Sequence, residues 1–189
     1  MVIVQPFEQR GTAILKRLPQ NAKAAEIGVL IGTLSAFLLQ SRGDLKLLMV
    51  DSWAPADQQP ERYKLTGDTH SSHDLARVQR HRQEAEARVR RFSDRAIIMP
   101  TTSATAAEEV ADGSLDLVFI DADHSYEGVR DDISAWLPKI RSGGWVGGHD
   151  YRNPDPRFRF GVDRAVDEWA EATSRPIETD LNFTWFARV

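Results

Sequence analysis

Three aspartates in this 189-residue chain, Asp51, Asp121 and Asp150, each close a short apolar run, and two of them keep histidines nearby, His124 just after Asp121 and His149 just before Asp150. Carboxylates bind cations and sugar hydroxyls. A histidine, with an ordinary pKa of about 6.5, can take a proton at neutral pH. A second pattern surrounds the first aspartate. Residues 24–51 read AAEIGVLIGTLSAFLLQSRGDLKLLMVD: an apolar run holding Glu26, a turn through Gly28 and Gly32, an apolar helix, and a second apolar run closed by Asp51. Glycines at such a turn let backbone approach a ligand closely, and an acidic residue ending the second strand can accept hydrogen bonds from two ribose hydroxyls. The chemistry this implies is recognition of an adenosine-carrying cofactor. The spacing is not the G-x-G-x-x-G that rests a pyrophosphate on bare backbone at a helix N-terminus, so a dinucleotide fits poorly.

Positioning these residues requires alternating strands and helices. The hydrophobic periodicity predicts an amphipathic helix over 7–18, stopped by Pro19, then strands at 24–27 and 46–51 joined by a helix at 33–42. From Ser52 to Ser72 the pattern breaks, with Pro55, Pro60 and many polar residues; a loop this long is usually functional or mobile, so 52–73 is expected to be a lid or substrate loop. A helix follows at about 74–92, a strand at 96–99, a helix from Ser103, a strand at 115–120 ending in Asp121, and a helix at 127–141. The run WVGG then reaches His149 and Asp150, followed by a helix at 161–173 and a C-terminal strand at 183–188. Such alternation makes a mostly parallel sheet covered on both faces. Ligands bind such sheets beyond the C-terminal ends of the strands, where all three aspartates fall.

The composition, 41% hydrophobic and 28% charged, is that of an ordinary globular domain large enough to bury a full core. A net charge of −4 argues against a nucleic-acid substrate, whose phosphates demand clustered Lys and Arg. The basic stretch from Arg77 to Arg91 carries Glu84 and Glu86 at helical spacing, which predicts ion pairs along one helix. With no cysteine there is neither a disulfide framework nor thiolate chemistry. No signal pattern and no bilayer-length apolar stretch are present, so a cytoplasmic protein without membrane contact is expected.

The run E-I-G-V-x-x-G from Glu26 to Gly32, followed by Asp51, resembles motif I of the class I S-adenosylmethionine-dependent methyltransferases. Residues 115–133, LDLVFIDADHSYEGVRDDI, followed by PKIRSGGWVGGHDY, resemble the later part of small class I O-methyltransferases. The likeness is strongest to the metal-dependent branch that includes catechol and caffeoyl-CoA O-methyltransferases, and it covers roughly residues 22–152. The resemblance implies a Rossmann-like, doubly wound α/β fold in a single domain over 1–189. Its sheet would be seven-stranded and mostly parallel with an antiparallel C-terminal strand, and helices on both faces.

It further implies that Glu26, Gly28, Gly32, Asp51, Ser103 and Asp121 hold S-adenosylmethionine, and that Asp121 and Asp150 hold Mg²⁺ or another divalent cation. The substrate implied is a small molecule bearing a hydroxyl acceptor, and relatives are often dimers, so a homodimer is compatible with it. His124 falls where the family has its catalytic Lys and is the expected base, with His149 the runner-up. Tyr151 stands where the family has a ligating Asn, so Asp123, His149, Asn153 or water would have to complete a metal site. Two other readings stay open on the same residues: metal-independent methylation with His124 or His149 as base, and a non-catalytic binder of an adenosine ligand. Trp53 is placed to cover an adenosine, and His70 and His73 have a spacing that could join a metal.

Overall fold

In the computed structural model, which describes residues 4–189, the chain begins with helix α1 (Pro6–Leu15), started by Pro6 in its first turn and a capping box between Gln5 and Glu8. Then follow β1 (Lys23–Ile27), α2 (Thr33–Ser41), β2 (Lys46–Val50), α3 (Glu61–Lys64), α4 (Leu75–Val89) and β3 (Ala96–Met99). The second half contains α5 (Ser103–Glu109), β4 (Leu115–Ile120), α6 (Tyr126–Trp136), β5 (Ile140–Gly148), α7 (Val162–Thr173), β6 (Glu178–Asp180) and β7 (Thr184–Arg188).

The strands form one seven-stranded sheet in the order β3-β2-β1-β4-β5-β7-β6. β1 to β5 run parallel to one another, while β7 pairs antiparallel with β5 and with β6. Alternate residues of the central strands enter two separate cores. Leu47, Met49, Leu117 and Phe119 pack with Leu38 and Phe186 on one face. Leu48, Val50, Val118 and Ile120 pack with Trp136 and Trp185 on the other. Strands buried on both faces read as continuous apolar runs, which is why KLLMV and LDLVFI were recognisable as strands. β1 lies between β2 and β4, and the chain crosses from one side of it to the other, so a crevice opens above its C-terminal end.

The sequence reading locates β3 and β4 at their observed bounds, and three departures have physical causes. The helix expected over 127–141 stops at Trp136, because Pro138 cannot continue it and the chain tightens into a 3₁₀ turn at Leu137–Lys139. β5 therefore starts at Ile140 rather than at WVGG, and its pairing shifts between Ile140, opposite Leu115, and Trp145, opposite Leu117. The short edge strand β6 is mostly exposed and carries no apolar pattern to announce it. The segment 52–73 is not irregular: it contains α3 and a 3₁₀ turn at Thr69–Ser72, and beyond Trp53 and Pro55 at its start it buries Tyr63, Thr66, Asp68, Ser71 and His73. Four of those five anchors are polar, so hydrophobic periodicity could not reveal them.

The predicted ion pairs on α4 are present, Arg82–Glu86 at 2.8 Å and Arg88–Glu84 at 3.4 Å. Among the described residues no helix is long and apolar enough to cross a membrane.

Candidate active site

A cleft of about 1150 Å³ lies beyond the C-terminal ends of β1, β2, β4 and β5, lined by Gly28, Asp51, Asp121, His124, His149 and Asp150 among others. The glycine turn shapes one wall. Gly28 has φ +90°, and a Cβ there would sit 2.0 Å from the backbone oxygen of Asp121. Its small size therefore lets β1 and β4 close upon each other. Gly32, expected to face the cofactor, instead starts α2 with φ +72° and presses against Ala85 of α4, 2.9 Å from where its Cβ would be. That glycine serves helix packing, and it does not line the cleft.

Asp51 closes β2 as expected, but its carboxylate also organises protein. Oδ2 accepts from the backbone N–H groups of Val29 (2.9 Å) and Leu30 (2.8 Å), and Oδ1 accepts from that of Trp53 (2.7 Å). Burial raises its pKa while these three donors oppose the rise. Trp53 donates from its indole to the Leu30 carbonyl at 2.8 Å, so turn and tryptophan form one unit. Asp51→Ala should lower the stability of the ligand-free protein by about 1–3 kcal/mol, since three buried donors lose their acceptor. Urea unfolding without ligand measures this, and an unchanged midpoint would return Asp51 to ligand binding alone.

Glu26 is buried in β1, and desolvation pushes its carboxyl up to about 8, against a 2.5 Å hydrogen bond from the Ser35 hydroxyl. Ser103 does not cap α5; Thr102 does, accepting from the Thr105 N–H. The Ser103 hydroxyl donates to Asp132 at 2.5 Å and accepts from the Trp136 indole at 2.9 Å, at the edge of the cleft. Burial raises Asp132 to about 7.

The floor of the cleft holds the densest chemistry. Asp121, His124, His149 and Asp150 each offer one ligand atom within 4.8 Å of all the others. His124 Nε2 lies 3.3 Å from Asp121 Oδ1 and 3.2 Å from Asp150 Oδ2, and His149 Nδ1 lies 3.3 Å and 3.1 Å from the same two oxygens. Such edges suit a single cation bonded to all four atoms at about 2.0–2.2 Å. Asp150 is held there with φ 59°, and Asn153 donates to its other oxygen at 2.6 Å. Burial alone would depress the His124 imidazolium, yet Asp121, Asp68 and Asp150 raise it to about 10. His149, opposed by burial in the same way, is raised to about 9 by Asp121 and Asp150. Asp121 is held well below the usual carboxylate range, because His149, His124 and Arg10 outweigh its desolvation. Two protonated rings balance the two carboxylates, and a divalent cation among neutral rings would do the same.

Of the residues considered for completing a metal site, only His149 joins the group. Tyr151 turns away into the core and donates to Asp167 at 2.6 Å. Asp123 accepts from the Ser125 N–H at 2.9 Å and pairs with Arg62 at 3.2 Å. His70 pairs with Asp68 at 2.9 Å and stacks edge-on against His73, and neither histidine is among the four clustered ligands.

Three residues around the cluster escaped the sequence reading. Asp68, from the segment expected to be a loop, receives His124 Nδ1 at 3.1 Å and the Tyr63 hydroxyl at 3.1 Å. Asn182, in the turn before β7, lies 3.2 Å from His149 Nε2 and 2.9 Å from Arg10. Arg10, on α1, reaches within 3.7 Å of Asp121. None of them lies in a motif, and only the fold brings them together. A further wall is aromatic: Phe158 stacks on Phe160, which stacks on the His124 ring, both at 4.6 Å.

Residues 25–151 match a family model described as a methyltransferase domain. No curated protein matches the sequence. Among solved structures, a protein from Corynebacterium glutamicum is 15% identical with a TM-score of 0.65, covering 100% of this chain and 82% of its own. The O-methyltransferase NovP is 18% identical with a TM-score of 0.60, covering 97% and 77%. An rRNA methylase from Streptococcus thermophilus is 11% identical with a TM-score of 0.62, covering 100% and 98%. At these identities the structural likeness establishes the fold.

Proposed function

Since the chain belongs to the methyltransferase-domain family, matched over residues 25–151, we propose that it transfers the methyl group of S-adenosylmethionine to a hydroxyl of a small molecule, assisted by a divalent cation. The observation that carries this reading is the cluster of Asp121, His124, His149 and Asp150 in the floor of the same cleft that Gly28 and Asp51 line. In this reading the cofactor lies against the turn at Gly28. Its ribose meets the carboxylate lone pairs that Asp51 does not spend on Val29, Leu30 and Trp53. Its adenine lies toward Ser103, and its amino-acid tail toward Glu26 and Asp121.

The acceptor enters beside Phe160 and presents its oxygen near Asp121 and Asp150. The sulfonium is already a good electrophile, so the residues have mainly to hold the acceptor oxygen in line with the S–CH₃ bond. That bond breaks with its electron pair staying on sulfur, which yields S-adenosylhomocysteine, while the acceptor oxygen forms the new C–O bond and its proton passes to solvent. A divalent cation held by the four residues would supply the charge that lowers the hydroxyl pKa and fixes its direction.

This reading makes His124 and His149 ligands rather than bases. Without a cation, rings raised to about 10 and about 9 already carry their protons at neutral pH and have little capacity to accept another. Metal-independent methylation through either histidine is therefore the weaker alternative. The choice of a small molecule over nucleic acid is supported by the net charge of −4 and by arginines on α4 that are tied to Glu84 and Glu86.

S-adenosylhomocysteine should raise the melting temperature and NAD should not. Methylation across a panel of hydroxylated compounds should stop in EDTA and return with an added divalent ion. Full activity in EDTA would overturn the cation, and cofactor binding without turnover across the panel would leave an adenosine-ligand binder.

A further inference from the structure

The donor set of the cluster and its surroundings bear on which kind of divalent cation it takes. Two of the four candidate ligands are imidazoles, and the outward nitrogen of each is committed to an acceptor. His124 Nδ1 lies 3.1 Å from Asp68 Oδ2, an oxygen that also receives the Tyr63 hydroxyl. An ionised carboxylate only accepts, so this nitrogen bears hydrogen. For His149 the orientation of Asn182 decides. The Arg10 guanidinium has no acceptor capacity, so the Asn182 atom 2.9 Å from it is the amide oxygen. His149 Nε2, 3.2 Å from that oxygen, is then a donor as well; the Arg10 contact to the same ring nitrogen is longer, at 3.4 Å. Without a cation the inward nitrogens also carry protons toward Asp121 and Asp150; in the neutral rings that a cation would require, the outward nitrogens keep theirs and the lone pairs of His124 Nε2 and His149 Nδ1 point inward, where those carboxylates converge. An outward N–H bound to a carboxylate or carbonyl oxygen is the arrangement that orients metal-bound histidines and strengthens them as ligands.

We infer that this site selects a divalent first-row transition ion, of the class of Mn²⁺, Fe²⁺, Co²⁺ or Zn²⁺, over Mg²⁺, with Asp68 and Asn182 acting as positioning residues that fix the two ring tautomers. The inference rests on the proposed cation-assisted methyl transfer. Mg²⁺ prefers an octahedral shell of oxygens and keeps several waters, whereas imidazole suits the transition ions. Asp68 also ties the segment over the cleft to the metal site, since it anchors Tyr63 and His70 of that segment.

The test is cation binding to the chelator-treated protein, read by calorimetry and by pulsed EPR of the Mn²⁺ complex. Mn²⁺ and Co²⁺ should bind at least about 100-fold more tightly than Mg²⁺. The Mn²⁺ spectrum should show nitrogen couplings from two imidazoles. Asp68→Asn should weaken Mn²⁺ about 10- to 100-fold. His149→Asp, which moves the set toward oxygen, should narrow the Mn²⁺-to-Mg²⁺ ratio by at least about tenfold and remove one nitrogen coupling. Mg²⁺ binding as tightly as Mn²⁺, or a Mn²⁺ spectrum without nitrogen coupling, would overturn the inference while leaving cation assistance standing. Binding of no cation at all would overturn both, and S-adenosylhomocysteine binding, measured alongside, reports separately on the cofactor site.

Discussion

Asp150→Ala is expected to reduce turnover by about 10³-fold or more, while S-adenosylhomocysteine binds within a few-fold of its original affinity. Asp150 Oδ2 is the atom that both inward ring nitrogens approach, at 3.2 Å and 3.1 Å, so its loss removes a shared vertex of the cluster rather than one pair. The side of the cleft proposed to hold the cofactor is built by Gly28, Asp51 and Trp53, which make no hydrogen bond to Asp150. Asp150 adopts φ 59°, a conformation that asparagine tolerates better than alanine, and its other oxygen receives Asn153 at 2.6 Å. Asp150→Asn is therefore the companion variant: it keeps the backbone and volume, and should still lose most turnover because a neutral amide balances no charge. Steady-state rates with calorimetry of S-adenosylhomocysteine binding measure both effects. Turnover within tenfold of the unmodified protein in both variants would remove Asp150 from the chemistry.

The sheet was legible because its central strands are buried on both faces. A strand such as LDLVFI has no polar side to disguise it, and the residue that ends it, Asp121, meets the cleft by topology alone. Asp51, Asp121 and Asp150 are therefore legible from strand ends alone. Where burial is accomplished by polar groups the signal vanishes. Thr66, Asp68, Ser71 and His73 are as buried as core leucines, yet in sequence they read as a solvated loop. Their burial is compensated by hydrogen bonds such as the Ser71 hydroxyl to the Asp68 carbonyl at 2.6 Å, a compensation that composition does not record.

The site divides along the same line. Residues within a local motif, Asp121 with His124 and His149 with Asp150, could be paired by spacing. Asp68 is separated from His124 by 56 positions and Asn182 from His149 by 33, and no periodicity joins them. Glycine was legible as a type but not as a role. Both Gly28 and Gly32 adopt positive φ, yet one admits the backbone of β4 and the other admits α4, so neither vacancy is shaped by a ligand alone. Tyr151 is a different case. It stands where the family has a ligating Asn and reads in sequence as unable to replace it, and its ring is part of the core beneath α7, so the place is left to other residues.

The chelated protein is expected to lose stability as pH rises from about 6.5 toward 10, by a few kcal/mol in total, and a bound divalent cation should make that decline shallower. The sign is shared by the two rings and by the buried carboxyls of Glu26 and Asp132, raised to about 8 and about 7, which add their own decline below about pH 8 whether or not a cation is bound. His124 and His149 have folded pKa values raised to about 10 and about 9, against an ordinary value of 6.5. A proton held more tightly in the folded state stabilises it, fully so below the unfolded pKa. The stabilisation is lost as pH climbs through the folded values. The two rings share Asp121 and Asp150, so their contributions are coupled and fall short of the sum of two independent shifts. Asp121 and Asp68 act in the opposite sense, since both carboxyls are held below their ordinary range. What they contribute is present above about pH 4 and fades only in acid, outside this window. With a cation bound the rings serve as neutral ligands and have no proton to lose, so the folded state gains nothing from acidity there and the cation binds more tightly as pH rises. Urea unfolding at several values between about pH 6 and pH 9, once in EDTA and once with saturating Mn²⁺, measures the two slopes. A flat profile in EDTA would mean that the rings do not hold protons among the carboxylates. Equal declines with and without Mn²⁺ would assign the dependence to groups outside the cluster.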